Sequence, residues 1–248
     1  MGRVFAGSSD ILVDEFDFSG VINAVTIDID NPIGDITAFL DDDQTFVEGK
    51  PSFTITLNGL YSTANPDYDG EMFTDLTSSD RLITISPSIA AATGGVAYFG
   101  QGDITSMPIT SDIVAAVLLN ITWNGNKPIV RGKFAYVNTA LVSTTDGTAY
   151  QLGALSSTQQ LIAFQHILAV SGTSPTLDTI IKSDNVENFS GAPAAQITFA
   201  TATASANLFL RGTKAGVVSD TWWRAEMEIG GSDTPTFSVV IGFGITNY

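Results

Sequence analysis

The chain has 248 residues, 26 of them acidic and 10 basic, for a formal net charge of −16, and 44% are apolar. That length holds one large domain or two ordinary ones, and the apolar content excludes a disordered chain. The charge excludes a protein that grips nucleic acid or anionic membrane by a basic face; zero cysteines exclude disulfides, thiolate metal sites and a cysteine nucleophile.

In chain order, the first ten residues carry one base and no apolar core, which predicts no secretory signal and synthesis in a cytoplasm. From Val21 to Asp30 apolar residues fall mostly on odd positions while Thr26, Asp28 and Asp30 face the other way. Phe53, Ile55 and Leu57 alternate with Ser52, Thr54, Thr56 and Asn58, and Ile113 to Trp123 repeats the pattern. Phe134/Tyr136, Leu161 to Leu168, Trp223 to Ile229 and Phe237 to Phe243 continue it. Period two, rich in Thr, Val, Ile and aromatics, predicts half-buried antiparallel sheet.

Turn chemistry separates these runs at Asn31-Pro32, Gly49-Lys50-Pro51, Asp146-Gly147 and Gly230-Gly231-Ser232-Asp233. Asn124-Gly125 predicts a hairpin. Only Glu71 to Leu76 reads as a helix, with Met72, Phe73 and Leu76 on one face, and a further turn of helix is expected at Ser86-Pro87. No apolar run is long enough to cross a bilayer as a helix, so no membrane insertion is expected.

Charge is sparse and lopsided. A compact monomer of this size exposes roughly 10,500 Å², and 36 charged side chains cover it thinly. An exterior that is mostly Thr, Ser, Ala and Gly points to a surface covered by neighbours. Residues 1–144 hold 18 acids and 6 bases, residues 145–248 hold 8 and 4, and a polar stretch at 143–157 lies between. Two domains are therefore expected, 1–144 and 145–248.

Catalytic constellations are not visible. Asp28 and Asp30 share a strand face about 7 Å apart, a spacing that permits a carboxylate pair, but among 18 acids some always fall at such a spacing, and a solvated acidic face is the reading taken. Asn65 to Gly70 resembles the start of a calcium loop, except that Leu76 stands where a bidentate acid is required. The single histidine, His166, shares a strand face with Ile162, Phe164 and Leu168, which reads as a satisfied, half-buried strand histidine. There is no nucleophile elbow, phosphate loop or dinucleotide fingerprint. Asn120-Ile121-Thr122 and Asn188-Phe189-Ser190 match a glycosylation pattern by chance. No enzyme activity, metal or cofactor is expected. Of Trp222 and Trp223, one ring is expected in the core and one outside, and both are candidate interface aromatics.

The stretch Phe18-Ser19-Gly20-Val21-Ile22-Asn23-Ala24-Val25-Thr26-Ile27-Asp28-Ile29 is followed by Gly34 to Phe39, a run of acids, and Gln44 to Ile55. Together these resemble the major tail tube proteins of long, flexible-tailed bacteriophages. Gly59-Leu60-Tyr61, the short helix, and Ala97 to Gly102 continue the resemblance over about residues 12–140. It implies an all-β fold with one or two short helices: an antiparallel β-sandwich or barrel tail-tube domain, followed here by a second β-sandwich domain. It also implies rings of three or six copies, closed by edge-to-edge sheet pairing and stacked into a tube within the virion tail.

The implied partners are further copies of the chain, a tape-measure protein, and tail-terminator or tail-tip proteins, with double-stranded DNA passing through unbound. Asp28 and Asp30 are the candidate lumen-lining acids. Asp35, Asp41, Asp42, Asp43, Gln44, Glu48 and Lys50 form the candidate ring-stacking loop. Another β-rich virion protein (a capsid decoration or head–tail joining protein) or a carbohydrate-binding module would share this composition.

Overall fold

The computed structural model describes residues 10–37, 43–49, 51–63, 68–76, 80–87, 92–112 and 115–247. Its elements in chain order are β1 (Ile11–Val13), β2 (Phe16–Asp17), β3 (Ile22–Asp30), β4 (Ile33–Asp35), β5 (Phe46–Glu48), β6 (Ser52–Leu60), α1 (Tyr68–Asp75), β7 (Arg81–Ile85) and β8 (Val96–Ser106). There follow β9 (Ile109–Thr110), β10 (Leu118–Gly125), β11 (Val130–Leu141), β12 (Thr145–Asp146), β13 (Tyr150–Gln151), β14 (Gln159–Asp184), β15 (Ala194–Thr198), β16 (Phe209–Ala215) and β17 (Trp222–Asn247). Strands take 63% of the chain and helix 4%, which makes the fold all-β, as the period-two runs require.

Two compact units emerge: unit 1 is Met1–Gly20, Leu82–Phe99 and Val130–Tyr248, and unit 2 is Val21–Arg81 and Gly100–Ile129. This division departs from a boundary at residue 144. β11, ahead of that position, is hydrogen-bonded to β17 behind it, from Lys133↔Phe243 to Leu141↔Phe237. Both therefore fall in unit 1.

Unit 2 is an antiparallel sheet in which β6 lies between β3 and β10, and β10 also pairs with the end of β8. Odd positions of β6 point inward, so Phe53, Ile55 and Leu57 are buried with Leu119, Ile121, Trp123 and Ile104. Tyr68 and Met72 of α1 are also fully buried, and Tyr68 lies against Gly59. Each fully buried apolar side chain contributes about 1.5–3 kcal/mol. The helix begins with Asp69 and Glu71 in its first turn, where the dipole favours acids.

No hairpin forms at Asn124-Gly125. Both residues belong to β10, opposite Asp103 and Gly102, whereas β11 pairs with Val96–Phe99 and with β17. Gly125 is required there for space, since a Cβ would come within 2.0 Å of the buried Phe53 ring. The helical turn expected at Ser86-Pro87 would run into residues 88–91, outside the described residues.

Unit 1 is organised by β14 and β17, two 26-residue strands paired along almost their whole length. Both bend together where register shifts between Ser171↔Thr236, Thr173↔Ser232 and Thr176↔Gly230. Positive φ at Gly172, Ser174, Gly231, Asp233 and Thr234 makes that corner. One core cluster then joins residues on both sides of the bend: Ala163 and Ile167 with Leu177 and Ile181, and Trp223 and Met227 with Phe237 and Val239. A second cluster packs Phe99, Phe134 and Phe164 with Leu12 and Leu82; the Phe99 and Phe164 ring centroids are 4.4 Å apart. His166 lies beside it and is wholly buried rather than half-buried as expected, because both faces of β14 are covered from Leu161 to Ile167.

Gly132 of β11 faces the Phe243 backbone, and a Cβ would stand 2.3 Å from the Phe243 carbonyl oxygen and 2.9 Å from the Phe99 ring. Backbone cannot rotate away as a side chain can. Gly132→Ala is expected to destabilise unit 1 by about 2–3 kcal/mol, read as a lowered urea midpoint. An unchanged midpoint would contradict the β11–β17 register.

Candidate lumen face and assembly surfaces

The outer face of unit 2 follows from strand register. Paired residues in an antiparallel sheet point to the same side. Asp30 is opposite Ser52, Asp28 opposite Thr54, Thr26 opposite Thr56 and Ala24 opposite Asn58. Across the next pairing, Thr54, Thr56, Asn58 and Leu60 meet Asn124, Thr122, Asn120 and Leu118. Asn124 in turn is opposite Asp103. The result is a face of short hydroxyls and amides holding three carboxylates, with Leu60 and Leu118 at one end. None of these positions is basic.

Both Asp28 and Asp30 are exposed on β3, on one face as predicted, about 7 Å apart along the strand. Asp103, which the sequence reading missed, joins them through register alone. Its carboxylate accepts from the Asp80 amide at 2.9 Å and from the Asn126 side-chain amide at 3.4 Å. Thr54 Oγ1 donates to Asn124 Oδ1 at 3.2 Å, part of the same polar lattice. Among the described residues, no cluster of acids or of acids with His166 could hold a metal ion. β3 has β6 as its strand neighbour on one side only among the described residues, so its other edge presents open backbone donors and acceptors.

Asp35 lies in a two-stranded arm in which β4 pairs with β5: Ile33↔Glu48, Gly34↔Val47 and Asp35↔Phe46. Its Oδ1 accepts from the Thr37 hydroxyl at 2.5 Å and the Thr37 amide at 2.9 Å, which hold the carboxyl below the usual carboxylate range. Thr37 Oγ1 accepts in turn from the Thr45 amide at 2.9 Å, tying the arm's two sides together. Asp43 and Gln44 are exposed on the returning side. Glu48 belongs to β5; Asp41, Asp42 and Lys50 lie outside the described residues. The arm also exposes large apolar side chains: Ile33, Ile36, Phe46 and Val47 are each more than half exposed. The candidate ring-stacking loop named the polar residues of this run and left the apolar ones out, although they stand between the acids in plain sequence.

Of the two candidate interface aromatics, Trp223 is a core residue. It is fully buried, and its Nε1 donates to the Gly153 carbonyl at 2.9 Å. Alternation along β17 leaves Trp222 half-buried on the opposite face. Three cations of unit 1 and unit 2 are already engaged with acids: Lys182 with Glu226, Arg224 with Glu226 at 2.6 Å and Asp146 at 3.1 Å, and Arg81 with Asp75 at 2.7 Å. Burial raises the Glu226 carboxyl, but hydrogen bonds and charge from Lys182 and Arg224 outweigh it and lower the group overall.

No family model matches the sequence, and no curated protein matches it. Among solved structures, the chain is similar to a protein in the virion of a native gene transfer agent particle, at 15% identity and TM-score 0.43, over 52% of this chain and 98% of that one. It is similar to a chain of the sheath–tube complex of an extracellular contractile injection system, at 15% identity and TM-score 0.44, covering 53% and 92%. It is also similar to the SPP1 Dit (gp 19.1) protein, a hub adsorption protein of phages infecting Gram-positive bacteria, at 8% identity and TM-score 0.40, covering 96% and 99%.

Proposed function

We propose that this chain is a structural subunit of a phage-type virion tail, which assembles with copies of itself into rings that stack as a tube. The observation that carries this reading is the outer face of unit 2, where Asp28, Asp30 and Asp103 stand among Ser, Thr and Asn without a cation, beside the open edge of β3. Such a face turned inward makes a lumen that repels phosphate, so a duplex slides through without adhering. The open edge closes a ring by pairing with a neighbouring copy, which also removes an aggregation hazard. Unit 2, with 14 acids and 3 bases, contributes the lumen wall.

In this reading the subunit is made in the host cytoplasm and ends in the tail, in rings of three or six. Its partners are other copies, a tape-measure protein within the tube and terminator or tip proteins at its ends. The arm formed by β4 and β5 makes the contact between rings. No step in this role calls for catalysis or a cofactor.

Negative-stain electron microscopy of the purified protein over a concentration series tests the reading. Rings or hollow tubes are expected, and their rotational symmetry counts the copies. Monodisperse monomers at every concentration would favour a decoration or joining protein instead.

A further inference from the structure

We propose that Gln165 and Thr179 bind an internal water that ties the two halves of β14 together across the core of unit 1. Both side chains are wholly buried. The amide nitrogen and oxygen of Gln165 and the hydroxyl of Thr179 have no hydrogen-bond partner among the described residues. Other buried polar groups of β14 are paired. Ser183 donates to Asp220 at 2.7 Å and accepts from Gln196 at 2.9 Å, and His166 engages Asp14 and Thr84.

Strand phase places the two residues in one core. Gln165 stands between Ala163 and Ile167 on the face of β14 that enters the larger cluster. It lies opposite Ile241 of β17 and Leu210 of β16. Thr179 stands between Leu177 and Ile181, which enter the same cluster from beyond the bend, and lies opposite Met227. Each is seven residues from Gly172, a positive-φ residue of the corner. Folding β14 over therefore sets them at comparable distances from the corner in the two layers.

An amide and a hydroxyl held dry in an apolar cluster oppose folding, and buried polar groups almost always find a partner. The chemistry selects the occupant. Side chains of this cluster are apolar, which gives an ion no counter-charge and disfavours it. Water fits, because buried waters make about three hydrogen bonds to otherwise unsatisfied groups. Gln165 supplies a donor and an acceptor, and Thr179 a hydroxyl that serves as either. One bridging water satisfies all three. It adds a directional link between the layers, which apolar contacts alone do not supply.

A double-mutant cycle on the full chain tests this. Gln165→Met and Thr179→Val remove the polar groups with little change in volume. With a shared water, each single variant strands the groups left behind, so each is expected to lower the urea midpoint. The double variant is expected to recover most of that loss. In a dry site each substitution removes an unsatisfied polar group, so both single variants would raise the midpoint, and that sign would overturn the proposal. Losses that simply add in the double variant would overturn a shared water too. Should a variant not fold, a map of the wild-type chain that shows ordered solvent decides. A solvent peak within hydrogen-bond distance of both residues is expected there. Direct Gln165–Thr179 contact, or apolar packing in place of the peak, would overturn the site.

Discussion

Between pH 7 and pH 4 the protein is expected to lose about 3 kcal/mol of stability through His166 alone. The ring is wholly buried and sits between two partners on different elements. Its Nδ1 is 2.5 Å from the Asp14 carbonyl oxygen, which can only accept, so Nδ1 carries the proton and donates. Nε2 is then the acceptor for the Thr84 hydroxyl at 2.7 Å. Burial disfavours the imidazolium and outweighs the Asp14 contact, pushing the pKa down to about 4 from 6.5. Above pH 6.5 both folded and unfolded chains hold a neutral ring, and the full stability is present. As pH falls below 6.5 the unfolded chain takes up a proton that the folded one refuses, and stability declines until the folded pKa is passed.

The Asp14 carboxylate is buried in the same corner of the fold, and its Oδ1 accepts from the Leu82 amide at 2.9 Å. A paired variant isolates the contribution of the ring. His166→Gln can donate to Asp14 and accept from Thr84 but has no proton to gain. Urea midpoints of wild type and variant, followed from pH 7.5 to 4, are expected to converge or cross as the wild type weakens. Carboxylates common to both proteins cancel in the difference. Parallel curves over the whole range would show that the buried ring does not resist protonation.

Strand phase was legible in the sequence because a strand's two faces differ chemically. Phe53, Ile55 and Leu57 are buried and their even-numbered neighbours are not; the same parity places Asp28 beside Asp30 and hides Trp223. Pairing was not legible, because it depends on which strand arrives beside which. Asn124-Gly125 has the chemistry of a tight turn, yet its neighbour is the Gly102–Asp103 segment of β8. For the same reason Asp103 could not be placed with Asp28 and Asp30: its membership of the face is a register relation across three strand pairings. Continuity was hidden as well. Gly230 to Asp233 reads as a reversal between two strands, but its positive-φ residues turn a corner within one strand, β17, while β14 bends alongside it. That shared bend puts both ends of each strand into one core and leaves no boundary at residue 144.

Reversing the acids of the candidate lumen should convert a tube that ignores DNA into one that holds it. Asp28 and Asp30 are exposed, so Asp28→Lys/Asp30→Lys is expected to leave folding within about 0.5 kcal/mol of wild type. Each reversal swings the local charge by two units in every copy around the ring. Exposed charges act over a Debye length of about 10 Å at 0.1 M salt, so a single acid does little, but a ring of them acts on a duplex confined among them. Wild-type assemblies are expected to bind no duplex at 50 mM salt. The lysine variant should bind it there and release it towards 200 mM, as counterion-driven binding does.

Geometry separates lumen from exterior. Linear duplex can enter a tube by its end, whereas covalently closed circular DNA cannot. Co-sedimentation of the lysine variant is therefore expected with linear DNA and not with closed circles. Glu187→Lys/Glu228→Lys, which reverses two exposed acids of unit 1, supplies the comparison for charge gained elsewhere. Equal retention of both DNA forms by the Asp28/Asp30 variant would put those acids on the outside and dismiss this face as the channel wall.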